Sequence, residues 1–529
     1  GDFSSNVGIV VGKDNAEKIL AYLNAHKPKK IEKIEIKNGF INFYLTREFF
    51  RGGVEAILNE GEDVGKNKKL HGKKIMVEYT DPNPFKPFHI GHLMTNAIGE
   101  SIARVLEHSG AEVKRANYQG DIGLHVAKAI YGLLQNKELS DDTVSHTIAA
   151  QNIGKAYALG ATAYEEDEKA KKEIDELNKK IYVRSDEKIN KIYEWGYEAT
   201  MEAFEDLYEV LGTEFDYYFL ESIMAEIGEE IVLQNKGKVF TESDGAVVFR
   251  AAEHDPKLHT RVFITSKGLP TYETKELGLT LEKFKTEPQM SLSIVITAVE
   301  QAEYMKVVAK AISLIHPQYE KKMKHITHGM MRFASGKMGS RKGNVIEGVS
   351  LLNDVRAMVA EKMEVREMTA EEKEKVANDV AVSALKYSIL KQAIGGDIIY
   401  DFEKSISFDG DSGPYLCYSF ARASSVLEKA KKENILPDPH TAPDEAWEVE
   451  KILYRFPEIV HRSALEYQPH HIAHYLIELA RAFNSFYGNN TIADKKDPHS
   501  SYKVALTFAF SFVMKAGLHL LGIRAPSKM

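Results

Sequence analysis

The 529-residue chain has one cysteine, Cys417, which excludes a disulfide framework and any multi-cysteine zinc site. No uninterrupted apolar run approaches the roughly eighteen residues that argue for a membrane-spanning helix. No signal-peptide pattern opens the chain, and no internal repeat or low-complexity tract interrupts it. A basic excess is also missing: 69 Lys and Arg stand against 77 Asp and Glu, a net charge of −8. That balance excludes a strongly basic nucleic-acid coat protein. There is no initiator methionine, since the chain opens Gly1-Asp2-Phe3; the expectation is that part of the natural N-terminus precedes it. What is present is ordinary for a soluble globular protein, with 43% hydrophobic and 28% charged residues. At about 150 residues per domain, the length predicts roughly three or four domains.

Charge is uneven along the chain. Residues 446–529 carry ten Lys/Arg, seven Asp/Glu and six of the 19 histidines, so this tail is +3 and the remainder −11. Residues 321–343 hold seven basic side chains and no acid: Lys321, Lys322, Lys324, Arg332, Lys337, Arg341 and Lys342. Basic regions on an acidic body fit an anionic partner such as a nucleotide or RNA.

Residues 1–70 read as a small α/β unit. Ile31 to Phe43 alternates like a hairpin turning at Asn38-Gly39. Lys74–Tyr79 reads as a buried strand and is followed by a Pro-rich loop. A long helix then carries Ile90, Leu93, Ile98, Ile102, Val105 and Leu106 at helical spacing and ends at Ser109-Gly110. A second strand, Glu112–Asn117, a Gly-rich turn and a helix from Leu124 complete a strand–helix–strand unit. The predicted fold is α/β, with a doubly wound parallel sheet. Residues 140–235 read as mostly helical and charged, with Ile174, Leu177 and Ile181 as the only apolar stripe of a solvated surface helix at 165–180. The parallel sheet is expected to resume at Arg261–Thr265, Leu292–Thr297 and Lys324–Met330, and residues after 376 to be helical. The expected division is 1–70, 71–139, a helical insertion over 140–240, 241–375 and an all-α unit over 376–529.

The most informative segment is Phe88-His89-Ile90-Gly91-His92, between the first strand and the first long helix. His89 and His92 share one face of the helix's first turn. A helix N-terminus presents free N–H groups and partial positive charge, so with two imidazoles it forms a phosphate site. Gly91 leaves room for a flat base against the backbone. More than two hundred residues later, Ala334 to Ile346 reads ASGKMGSRKGNVI. Lys337, Arg341 and Lys342 in such a Gly/Ser loop can close over a triphosphate and stabilise departing pyrophosphate. The triple His470, His471 and His474 has metal-like helical spacing, but no carboxylate triad or cysteine accompanies it, so a structural role is expected.

With these segments the chain resembles class I aminoacyl-tRNA synthetases: His89-Ile90-Gly91-His92 matches the HIGH motif, and Lys337-Met338-Gly339-Ser340 is an altered KMSK motif. The closer resemblance is to arginyl-tRNA synthetases. It is carried by Gly1-Asp2-Phe3-Ser4-Ser5-Asn6-Val7, Gly39-Phe40-Ile41-Asn42-Phe43, Pro82-Asn83-Pro84-Phe85-Lys86 and Asn117-Tyr118-Gln119-Gly120-Asp121-Ile122-Gly123. Further along it rests on Gly410-Asp411-Ser412-Gly413-Pro414-Tyr415-Leu416, Phe483-Asn484-Ser485-Phe486-Tyr487 and Leu521-Gly522-Ile523-Arg524-Ala525-Pro526.

That resemblance implies a Rossmann-like catalytic domain, an N-terminal domain on the tRNA elbow and a C-terminal anticodon-binding bundle. It implies activation of L-arginine by ATP with Mg2+, then transfer to tRNA(Arg), by a cytoplasmic monomer with no membrane role. Lys86, His89, His92, Lys337, Arg341 and Lys342 would serve the phosphates; Gly91, Gly120, Asp121, Gly123, Met338 and Ser340 would complete the ATP site. The second KMSK lysine is replaced by Ser340, and Lys86 stands where a family lysine is thought to substitute for it. Asn83, Glu112, Asn117, Tyr272, Glu276 and Gln301 would bind arginine, with Glu276 where the family usually has Asp; Glu112 is expected to aim at the crevice. No separate metal-ligating residues are expected. A site that reads a charged guanidinium discriminates without editing, so the insertion is expected to be a tRNA-acceptor or connective element. The alternatives are a class I lysyl-tRNA synthetase and a non-catalytic tRNA-binding paralogue.

Overall fold

The computed structural model describes residues 1–334, 347–363 and 368–529. At its centre lie five parallel strands: β1 (Lys74–Glu78), β2 (Glu112–Gln119), β3 (Tyr217–Leu220), β4 (Leu292–Ala298) and β5 (Met323–His328), in the order β5-β4-β1-β2-β3. The chain leaves β1 toward β2 on one side and returns to β4 on the other. β1 and β4 therefore flank the point where strand order reverses, and a crevice opens beyond their carboxyl ends. After Lys74, β1 is apolar and buried on both faces until its last residue, Glu78.

Two sheet assignments differ from the sequence reading. β3 lies inside the stretch read as mostly helical; at four residues it is too short to show a period. Arg261–Ile264 is a strand, but it joins a separate antiparallel sheet with Thr241–Ser243 and Ala246–Phe249. Strand propensity does not say which sheet a strand enters.

The helix Ile90–His108 packs on β1 and is buried almost throughout. It ends at Ser109, and Gly110 follows with φ 95°. Helices His146–Glu166, Glu168–Val183 and Glu187–Leu211 form the insertion, and they share one core with the helix Leu124–Gln135 and with Phe85. The stretch read as one surface helix at 165–180 breaks at Asp167, which caps the second helix by accepting from the Lys169 N–H. Ile174 and Ile181 are buried in that core.

The N-terminal unit has the expected hairpin, Ile31–Lys37 with Phe40–Leu45, turning through Asn38 and Gly39 at φ 53° and 79°. The C-terminal helices, from Ala370–Leu390 to Ser500–Leu520, share one continuous apolar core with β1 and the Ile90–His108 helix. Ser500–Leu520 is long and apolar enough to cross a membrane, but 72% of its apolar window is buried among neighbouring helices, as a core helix requires. Cys417 packs inside Gly413–Lys432, where burial pushes its thiol up to about 12.

Candidate active site

A cavity of about 720 Å³ fills the crevice at the carboxyl ends of the strands. Its floor is the turn after β1, which is forced into unusual backbone: Thr80, Asp81 and Phe85 have φ of 79°, 48° and 65°. Such conformations persist only where surroundings over-determine them. Here Asn96 Nδ2 donates to Thr80 Oγ1 at 3.1 Å, and the Tyr118 N–H donates to Asp81 at 2.7 Å. Phe85 is fully buried against the insertion, its ring 5.6 Å from that of Tyr193.

One wall is the start of the Ile90–His108 helix. His89 is its N-cap, and its Nδ1 accepts the Gly91 N–H at 3.1 Å. His92 Nδ1 accepts the His89 N–H at 3.2 Å, and the two rings stack 3.5 Å apart. Each ring thus uses Nδ1 as an acceptor, which places the proton on Nε2. Burial, then Lys86, holds His89 down to about 4; burial, then His89 and Lys86, holds His92 well below its usual range. Both are neutral donors at pH 7. Lys86 lines the same wall, with burial and then Lys128 lowering its pKa.

The other end is acidic. Glu78 accepts from Lys283 Nζ at 2.6 Å, both side chains buried. Glu221, following β3, pairs with Lys275. Glu276 lines the cavity with Oε1 buried and unpartnered, and burial, then Glu78, pushes it up to about 8. Burial, then Glu78, likewise raises Asp81. Three carboxyls, Glu78, Asp81 and Glu276, thus share one internal cation, Lys283. A planar cation with several donors would complete that end.

Of the residues expected to act, Lys86, His89, His92, Gly91, Gly120, Gly123, Asn83, Tyr272, Glu276 and Gln301 all line this cavity. Tyr272 stands 72% exposed at its mouth, and Gln301 Oε1 accepts from the Tyr304 hydroxyl at 3.1 Å. Lys337, Met338, Ser340, Arg341 and Lys342 lie outside the described residues, although the Gly348 N–H donates to the Phe88 carbonyl at 2.7 Å, beside His89.

Three expectations are corrected. Glu112 begins β2 and pairs with Lys74 at 3.2 Å, at the amino end of the sheet. Eight residues of strand rise roughly 23 Å, so Glu112 is remote from the crevice. Asn117 points to the opposite face from Tyr118 and donates to the Tyr208 hydroxyl at 3.1 Å instead of lining the cavity. Asp121 is buried; it accepts from the Ser222 N–H at 2.9 Å, the Ser222 hydroxyl at 2.6 Å and the Tyr193 hydroxyl at 3.1 Å, so it braces the wall. Glu78 and Glu221 escaped the sequence reading. The signal for Glu78 was available: it is the acid that follows the apolar run Ile75-Met76-Val77 at the strand's carboxyl end. His470, His471 and His474 engage Gln468, Glu466 and one another, and among the described residues no group of three or more His, Cys, Asp or Glu is placed to hold a metal.

Comparison with known proteins gives concordant matches. The family model described as tRNA synthetases class I (R), catalytic domain, matches residues 53–402, and that of the DALR anticodon binding domain matches 416–529. An arginine–tRNA ligase of Clostridium perfringens is 29% identical over 509 residues, covering 94% of this chain and 88% of that protein. One of Treponema denticola is 30% identical, covering 91% and 84%. In structure, the arginyl-tRNA synthetase of Thermus thermophilus matches with a TM-score of 0.80 at 24% identity, over 98% of this chain and 93% of that one.

Proposed function

Because the chain belongs to the class I arginyl-tRNA synthetase family, an enzyme family that joins arginine to tRNA using ATP, we propose how its cavity performs that ligation. The carrying observation is the polarity of one cavity, with neutral imidazole donors and Lys86 at one wall and an under-neutralised carboxyl cluster at the other.

Arginine enters with its guanidinium against Glu78, Glu276 and Glu221; Asn83, Tyr272 and Gln301 orient the rest. Its carboxylate oxygen forms a bond to the α-phosphorus of ATP, and pyrophosphate leaves with the bridging oxygen. The Nε2–H groups of His89 and His92, with the first N–H groups of the helix, stabilise charge on the α-phosphate, while Lys86 meets the leaving phosphates. Gly91 lets adenine lie on the backbone, and Gly120 and Gly123 keep the opposite wall open. A ribose hydroxyl of the terminal adenosine of tRNA(Arg) then attacks the arginyl carbonyl, releasing AMP. No side chain forms a covalent intermediate; rate comes from positioning and preorganised charge.

Magnesium would accompany the triphosphate and neutralise part of its charge, with the wall of His89, His92 and Lys86 receiving the pair. Lys337, Met338, Ser340, Arg341 and Lys342 are assigned to the phosphates from the resemblance alone. The C-terminal helices take the anticodon and the N-terminal unit the tRNA elbow. We assign the enzyme to the cytoplasm as a monomer, which sedimentation checks.

ATP–pyrophosphate exchange with arginine or lysine, each with and without its cognate tRNA, tests the reading. Exchange is expected with arginine when tRNA is present. Exchange driven by lysine would favour the lysyl alternative, and none under any condition would remove the catalytic reading. Lys86→Ala should lower the exchange rate far more than arginine affinity; equal losses would make Lys86 a binding residue only.

A further inference from the structure

Two lysines face the cavity without an acid partner. Lys275 and Lys283 are paired with Glu221 and Glu78, but among the described residues Lys86 and Lys128 form no ion pair. Lys128 lies one turn into the helix Leu124–Gln135, on the side of the cavity from which its charge acts on Lys86. Two unpaired cations at one wall disfavour each other, and a polyanion between them removes that cost.

Lys128 is also held in place. Its Nζ sits over the Tyr164 ring, 4.4 Å from the centroid, and Lys86 Nζ sits 5.6 Å from that of Tyr157. Tyr157, Gly160 and Tyr164 follow one another on a single face of the insertion helix His146–Glu166. Gly160 lets that face approach closely: a methyl there would overlap the Lys128 carbonyl oxygen. The Tyr164 hydroxyl is anchored on Asp175 at 3.1 Å. One helix of the insertion therefore presents both lysines to the cavity, whose wall it continues with Tyr157 while the next helix adds Asn178 and Tyr182.

We propose that Lys128, positioned by Tyr164, is a further phosphate-binding residue that meets the pyrophosphate displaced from ATP. This rests on the arginine-activating reading of the cavity. It gives the insertion a part in activation, and it supplies a cation on the protein body in a chain that carries Ser340 in place of the second KMSK lysine. Tyr164 is a positioning residue, acting through Lys128. The phosphates could instead be those near the 3′ end of tRNA, and the arms below separate the two.

The test uses the full chain with Lys128→Met, Lys128→Arg, Tyr164→Phe and Tyr164→Leu. At saturating arginine and tRNA, K128M should lower ATP–pyrophosphate exchange about 10- to 100-fold. It should also weaken inhibition of aminoacylation by inorganic pyrophosphate, leaving the KM for arginine within about twofold of wild type. K128R should retain most exchange. Y164F, which keeps the ring, should match wild type; Y164L should lose part of the rate, and K128M/Y164L should lose no more than K128M. Exchange by K128M within about twofold of wild type overturns the proposal, as does a change confined to the KM for tRNA. If K128M fails to fold, the Y164F and Y164L pair decides by the same rates. Failure of the wild-type chain to exchange would overturn the activation reading itself.

Discussion

Glu276 carries the sharpest consequence at the scale of one residue. Its carboxyl is buried, unpartnered at Oε1 and raised to about 8 by burial and by Glu78. At pH 7 it therefore holds a proton in the empty cavity. A guanidinium favours the ionised carboxylate, so arginine binding must displace that proton. Binding then strengthens as pH rises and levels off above about 8. The limiting slope is roughly tenfold in affinity per pH unit, one proton per arginine. Calorimetry at pH 7 in buffers of different ionisation enthalpy should register the release, and Glu276→Gln should abolish both release and slope while weakening binding. A pH-independent arginine affinity between pH 6 and 8 would show that arginine binding displaces no proton from Glu276. Position 276 was legible in the sequence, but its protonation was not, because it follows from burial and from Glu78 and Glu221, which the fold brings near it.

Among the elements, the helix Ile90–His108 does two jobs: its first turn forms the phosphate wall and its middle holds the turn after β1. Asn96 donates to Thr80 at 3.1 Å and to Thr213 at 3.2 Å, and Thr95 Oγ1 donates to the Thr80 carbonyl at 3.4 Å. Asn96→Ala leaves two buried hydroxyls short of a partner, a cost of about 1–3 kcal/mol. The urea midpoint should fall with little change in slope, and arginine KM should rise as the strained floor relaxes. An unchanged KM would mean that the turn holds itself. This helix was readable from its period and from Gly110, β1 from its apolar run, and β2 from its place after the Ser109-Gly110 stop. What could not be read was direction and partnership. Glu112 opens β2 and Glu78 closes β1, and only the parallel sense of the sheet assigns Glu78 to the crevice and Glu112 to its far side. β3 was hidden because four residues between long helices have no pattern, and with it went Glu221, whose place depends on β3 pairing beside β2.

Across the whole molecule, the same helix reaches from the cavity to the C-terminal bundle. Ser101 Oγ donates to the Leu520 carbonyl at 2.7 Å, and Arg104 donates to the His519 carbonyl at 3.0 Å and the Gly212 carbonyl at 2.6 Å. Arg524, near the end of the chain, donates to the Glu209 carbonyl at 2.6 Å. Between them Lys386 is fully buried and donates to the Leu211 carbonyl at 2.6 Å and the Gly522 carbonyl at 2.8 Å. Three units meet on this one amine: the last insertion helix, the Ala370–Leu390 helix and the C-terminal segment. Burial, then Arg104, lowers Lys386 to about 7, with Glu100 opposing and Arg524 adding to the effect. A neutral amine has two N–H donors for these two carbonyls. In the unfolded chain a lysine keeps its proton to about 10.4. Between the two values the unfolded state binds the extra proton, so stability must rise with pH above about 7, by at most ~1.4 kcal/mol per unit. Below that value both states are charged and the contribution is flat. Lys386→Met should remove this rise and, by leaving both carbonyls unpaired, destabilise the protein by about 2–4 kcal/mol. Denaturant titrations of both proteins at pH 6.5, 7.5 and 8.5 measure it. The difference between them should widen with pH, and a constant difference would mean that Lys386 stays charged and contributes through its hydrogen bonds without a pH dependence.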